Sequence, residues 1–208
     1  MSDQAMGHKI YRRSSAVVSD NVVICGGWDS STQRPSAKCD ILGPNSREWK
    51  ADPDFPIALT AGSLVSSSEN FLFWSGGYQV CHNCQRFVNK TWFLRDFERG
   101  WEAGPQMWEK HSDHCSVDTD NTLMVIGGKR GGGLTNGVES WRVDKDFDFE
   151  SIPKPYLEIP RQDHGCSFLK IGNEEVVVVA GGVIEDKDHS HPIASVQDLF
   201  ATKSRWEI

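Results

Sequence analysis

An all-β fold of four repeated antiparallel units is what the 208 residues predict, on two periodic observations. A short apolar run closed by a glycine pair occurs four times: Val22-Val23-Ile24-Cys25-Gly26-Gly27, Phe71-Leu72-Phe73-Trp74-Ser75-Gly76-Gly77, Leu123-Met124-Val125-Ile126-Gly127-Gly128 and Val176-Val177-Val178-Val179-Ala180-Gly181-Gly182. The first glycines of these pairs stand 50, 51 and 54 residues apart, the length of a four-stranded repeat. The second periodicity is independent of glycine: an apolar third-strand residue precedes a fourth-strand aromatic by 7, 7, 8 and 7 positions, from Leu42 to Trp49, Leu94 to Trp101, Trp141 to Phe149 and Leu199 to Trp206.

Each element has a local reason. Ser14 to Val18 alternates small and apolar residues and reads as a first strand, and Asp20-Asn21 is a turn signal before the glycine-pair strand. That second strand is continuously apolar and β-branched, which suits burial on both faces. Its glycines permit a positive φ where the strand stops and let another backbone come close. Trp28 to Ser36 is a polar loop, Ala37 to Leu42 a third strand, Gly43-Pro44-Asn45-Ser46 a turn and Arg47 to Lys50 a short fourth strand. The same grammar gives strands at Ala61–Ser66, the run to Gly77, Thr91–Leu94 and Trp101 in the second unit. The third unit has His114–Val117, the run to Gly128, Val138–Trp141 and Phe149; the fourth has Gly165–Leu169, the run to Gly182, Ser195–Leu199 and Trp206. Residues 1–9 form a tail, and the units cover about 10–52, 53–104, 105–152 and 153–208.

Composition narrows the function. A net charge of −7 argues against nucleic acid as a main partner, because phosphate binding needs a basic face. No apolar run approaches the length of a membrane span. The first eight residues lack the apolar core of a signal peptide, which points to the cytoplasm; the six cysteines and the sequon Asn89-Lys90-Thr91 fit secretion if the chain is a fragment.

The glycine pairs, the tryptophans at 49, 101 and 206, and Ile159-Pro160-Arg161-Gln162-Asp163-His164 at the start of a unit resemble the pattern of kelch repeats over roughly Ile10 to Trp206. The resemblance implies a β-propeller of four four-stranded blades, with Trp49, Trp101, Phe149 and Trp206 largely buried between them. Two positions depart from it: the fourth-strand aromatic is Phe149 in the third unit, and the usual third-strand Tyr is replaced by Leu42, Leu94, Trp141 and Leu199. Propellers have 4–8 blades and kelch rings more often close with about six, so an incomplete ring, or one completed by a partner, is expected. The open blade ends would then be surfaces for self-association.

The cysteines and histidines get structural readings. Cys25 and Cys39 lie on neighbouring strands and are a candidate disulfide. Cys81-His82-Asn83-Cys84 lacks the second ligand pair of a zinc site, so a loop disulfide or two thiols suits it better. Cys115 and Cys166 hold related first-strand positions. His114 and His164 sit where kelch repeats place a packing histidine, and His189-Ser190-His191 lies in an acidic loop. Neither metal nor cofactor is expected.

No Gly-x-Ser-x-Gly elbow, Walker loop or HExxH is present, and Lys129-Arg130-Gly131-Gly132-Gly133 leads to a strand rather than to a phosphate-binding helix. The chain therefore reads as a protein-interaction module and scaffold, not an enzyme. The alternative that the resemblance allows is a carbohydrate-active propeller like galactose oxidase or sialic-acid mutarotase; a copper-radical site needs axial tyrosines, and only Tyr11, Tyr78 and Tyr156 exist. Meander geometry collects the first-strand entries and the post-glycine loops on one face. That face would carry Arg12, Arg13, Arg34, Tyr78, His111, Lys129, Arg130 and Arg161, a basic mouth on an acidic body suited to an acidic peptide or protein.

Overall fold

The computed structural model describes residues 9–51, 53–81, 84–120, 122–152, 156–185 and 189–200, and every regular element among them is a β-strand. The strands form four antiparallel meanders. Unit one is Ser14–Val18, Asn21–Cys25, Cys39–Leu42 and Lys50–Ala51, adjacent in that order. Unit two is Ser63–Ser66, Leu72–Ser75, Thr91–Leu94 and Glu102–Ala103. Unit three is Cys115–Asp118, Thr122–Ile126, Val138–Val143 and Phe149–Ser151. Unit four has three described strands, Gly165–Ile171, Glu174–Ala180 and Val196–Phe200.

The continuous apolar runs are explained by three core layers between the four sheets. Val23 and Cys25 of unit one meet Leu72 and Trp74 of unit two. Phe71 and Phe73 meet Leu123 and Val125, and Met124 and Ile126 meet Val177 and Val179. A second strand thus serves one layer with its odd positions and the next with its even ones, so neither set can be polar. The first strands pack side by side in chain order, from unit one to unit four. Among the described residues no comparable contact leads from unit four back to unit one.

Several boundaries differ from the sequence expectation. The first turn is Ser19-Asp20, one residue earlier than predicted: both have positive φ, 47° and 60°, and Asn21 already pairs with Val18. The Asn21 side chain donates to the Ser19 carbonyl at 2.8 Å, which holds the turn. Trp49 and Trp101 are half-buried and lie outside the strands, rather than being buried between sheets. Trp101 stands edge-on to Phe55 at 4.7 Å, on the rim of the first layer. Phe149 is half-buried against the second layer, and Trp206 lies outside the described residues. Trp74, Trp92 and Trp141 are the buried tryptophans instead, since second and third strands lie deep in each sheet.

Two disulfides are described. Cys25 and Cys39 are direct cross-strand partners with Cα atoms 4.1 Å apart, as expected. Cys115–Cys166 was not expected as a pair; it ties the first strands of units three and four at a Cα distance of 6.0 Å.

Candidate binding face

The glycine pair builds one corner in every unit. Both glycines have positive φ, near 60° and then near 100°, four times over. The first N–H donates to the start of the unit's own third strand, at the carbonyls of Lys38, Lys90, Gly137 and Ser195. In units one to three the second N–H donates across the junction, to the carbonyls of Leu59, His111 and Arg161. Side chains would not fit: a Cβ at Gly26 would lie 2.7 Å from the Trp74 ring and 2.9 Å from the Leu59 oxygen.

Past each corner the chain forms a small hairpin on the same side. The hairpins are Trp28–Asp29 with Arg34–Pro35, Tyr78–Cys81 with Cys84–Phe87, Lys129–Arg130 with Gly133–Leu134, and Val183–Glu185 with Ser190–Pro192. Each begins by pairing with the segment that enters its own unit: Trp28 with Tyr11, Tyr78 with Thr60, Lys129 with Ser112 and Val183 with Gln162. The next entry residue is left-handed in every unit: Arg12 at 56°, Ala61 at 56°, Asp113 at 53° and Asp163 at 53°. Three of them form a tier of their own, for the Asp113 N–H donates to the Ala61 carbonyl and the Asp163 N–H to the Asp113 carbonyl, each at 2.8 Å.

The predicted basic residues divide into two groups. Arg12, Arg34 and Arg130 are exposed on this face, and Tyr78 and Lys129 are half-buried there. Arg13, His111 and Arg161 are not available to a ligand, a correction to the expected basic mouth. The Arg13 guanidinium is buried against Asp40 at 2.5 Å and donates to the Ile24 and Lys38 carbonyls. His111 has no exposed surface; Nδ1 donates to the Gly127 carbonyl at 2.7 Å and Nε2 lies 3.2 Å from Glu139. Arg161 reaches the carbonyls of Gly181 and Ser195, both at 3.2 Å. All three brace the glycine corner of their own unit, as the Trp74 indole N–H does in unit two by donating to the Gly76 carbonyl. The carbonyls at each corner need a donor, and the entry segment supplies it in units one, three and four, the second strand itself in unit two.

Acids share the face, which makes it mixed in charge rather than basic. Arg12 lies 3.8 Å from Asp113, Lys129 3.8 Å from Glu185 and Arg130 2.6 Å from Glu109. Burial raises the Asp113 pKa, and the neighbouring Asp163 carboxylate adds to the rise while Arg12 opposes it. Sequence reasoning missed this tier, although Asp113 and Asp163 stand one residue before the two packing histidines. Those histidines are buried and neutral. His164 Nε2 donates to the Ile126 carbonyl at 3.0 Å, and burial pushes its pKa down to about 4. His114 Nε2 lies 2.8 Å from the Ser75 hydroxyl; burial, with His111 and His164 nearby, holds its pKa well below the usual value. Cys115, next to His114, is held in the disulfide, and Cys81 pairs with Cys84 in the backbone ladder of its hairpin.

A cleft of about 460 Å³ opens at the other end of the strands, lined by Ser19, Asn21, Asn70, Leu94 and the 95–98 loop. The chain matches no protein-family model and no curated protein.

Proposed function

We propose that this chain is a protein-interaction module: an open, four-bladed propeller arc of the kelch type that binds a partner peptide on its hairpin face. One observation carries the reading. Four hairpins and four left-handed entry residues, one set per unit, lie on a single side, so the repeat gathers variable loop chemistry onto one surface over a rigid scaffold. The hairpin side chains differ from unit to unit, while the glycine corners beneath them do not.

The chemistry favours a peptide carrying carboxylates. Arg12, Arg34 and Arg130 present guanidinium groups that grip a carboxylate bidentately, and the Arg12–Asp113 pair is long enough to yield to a better partner. Asp113 and Asp163 set the complementary requirement, a cation or an N–H donor beside the acid.

The test is selection from a displayed peptide library against the purified chain, followed by binding of the selected peptides to two variants. Arg12→Glu with Arg130→Glu should abolish binding, whereas Lys170→Glu, on the strand that ends at the opposite turn, should leave it intact. Enrichment of no sequence, or equal affinity for the double reversal, overturns the reading.

A further inference from the structure

We infer that two copies of this chain dock head to tail, with the 6–10 segment of one seated on the glycine corner of unit four of the other. The inference goes beyond the hairpin face and rests on the three internal junctions, which are alike. At each, five residues ahead of the incoming unit close the corner of the unit before. They are Phe55 to Leu59, Met107 to His111 and Leu157 to Arg161. The first residue of each is apolar and buried. Its N–H donates to the carbonyl of Ala37, Asn89 or Asn136 at 2.7, 2.9 and 2.8 Å. The carbonyl of the fifth accepts from the second glycine at 2.9, 2.7 and 2.7 Å.

The described residues hold four such corners but only three such plugs, and the sequence offers a fourth. Met6 to Ile10 repeats the spacing, an apolar residue four positions ahead of Ile10, and Ile10 holds the place of Leu59, His111 and Arg161 in the entry ladder. Met6 itself lies outside the described residues. The Lys9 carbonyl accepts from the Ser30 N–H, so Ile10 and Asp29 are the intervening pair that exchanges no bonds, and the Ile10 carbonyl is aimed away from its hairpin. Among the described residues the fourth corner is complete and carries no plug. Among the described residues the Gly182 N–H and the Ala194 carbonyl have no counterpart of the junction bonds. A Cβ on Gly181 would meet nothing nearer than the Ile193 oxygen at 3.9 Å. Val196 is 63% exposed, where its counterparts Cys39, Thr91 and Val138 are 0%, 2% and 8% exposed.

The sheet faces that would meet are mixed: Val17 and Ile24 lie on the outer side of unit one with Ser15 and the Arg13-paired Asp40, and Val178 and Val196 on that of unit four with Ser167 and Asp198. Because the first strands do not lead from unit four back to unit one, the occupant committed to here is a second copy. Such a contact is heterologous, so it closes into a ring or grows as an open chain.

The experiment is sedimentation velocity on the full chain, on Met6→Asp and on Val196→Asp, with circular dichroism confirming the fold of each. Val196 is exposed, so its substitution spares the core. The wild type should sediment above the mass of one chain, in a concentration-dependent way. Each variant alone should stay at one chain, because one half of its interface is lost. An equimolar mixture should recover a species of two chains, since the intact plug of Val196→Asp meets the intact corner of Met6→Asp. A wild type that is monomeric throughout, whether its corner is closed within the chain or kept for a different protein, overturns the inference. So does a Val196→Asp variant that associates like the wild type, or a mixture that stays at one chain.

Discussion

Alanine at Gly127 and alanine at Gly181 differ in one respect only, and that respect measures the junction. Both glycines open a corner, with φ of 59° and 68°, so each substitution forces an L-residue into the left-handed region at about 1–2 kcal/mol. At Gly181 the new methyl group enters open space. At Gly127 it would lie 2.9 Å from His164 Cε1, 3.0 Å from Leu157 Cδ1 and 3.1 Å from the Arg161 carbonyl oxygen. Two of these neighbours are themselves held, His164 by Ile126 and the Arg161 carbonyl by Gly128, so relief requires the plug of unit four to back away. Overpacking of that kind adds about 1–3 kcal/mol. Gly127→Ala should therefore cost about 2–5 kcal/mol in all and Gly181→Ala about 1–2. Urea unfolding followed by tryptophan fluorescence, at a concentration low enough to keep the chain monomeric, reads the difference. Equal losses at the two sites would refute the idea that the corner is a junction between units.

Three further outcomes follow from the buried polar groups and the disulfides. Arg13→Ala leaves the Asp40 carboxylate buried without its guanidinium and should cost about 3–5 kcal/mol, with part recovered in Arg13→Ala/Asp40→Ala; a loss under 1 kcal/mol in urea would show the pair to be solvated. His164 has its folded pKa lowered from 6.5 to about 4, so the unfolded chain takes up the proton first: stability holds above pH 6.5 and falls as the pH drops toward 4, by at most about 3 kcal/mol. Urea midpoints at neutral and acid pH should converge in His164→Gln relative to wild type; Asp113, whose pKa is raised, acts with the opposite sign in both proteins and cancels in the comparison. Opening Cys115–Cys166, which spans 51 residues, should cost about 4 kcal/mol against about 3 for the 14-residue Cys25–Cys39 loop, measured as melting temperatures of the paired Cys→Ser variants; the reverse order would show that the inter-unit bridge adds no constraint.

Much of the fold was legible because it repeats. Glycine pairs at a near-constant interval located all four second strands, and alternation or β-branching located their neighbours to within two or three residues. The aromatic rhythm was equally regular, yet it marked the rim: Trp49 and Trp101 sit where the short outer strands begin, and a single period does not say how deep a position lies. Cations were the hardest to assign. Arg12 and Arg13 are adjacent in sequence, but one is exposed near Asp113 and the other is clamped by Asp40, whose partnership depends on the third strand crossing behind it. Arg161 likewise looks like a loop cation until the fourth corner places two carbonyls within its reach. Glu139 gave no signal at all, because its ligands are the backbone N–H groups of Trp108 and Glu109, thirty residues away. The Cys115–Cys166 bridge left only a partial trace: both cysteines fall on first strands, but Cys115 corresponds in register to Gly165, and the one-residue offset to Cys166 is what turns the two side chains toward each other across the junction.

The plugs also change what counts as a boundary in this chain. All four strands of unit one are complete at Ala51, yet the residues that seal its corner, Phe55 and Leu59, come afterwards. A chain emerging from a ribosome therefore holds each finished sheet open until the opening residues of its successor appear, an interval in which an apolar corner is exposed to wrong partners. For the same reason, a chain that stops at Leu59 closes the backbone bonds of its corner, which one that stops at Ala51 leaves open, while both expose the apolar face that Leu72 and Trp74 cover.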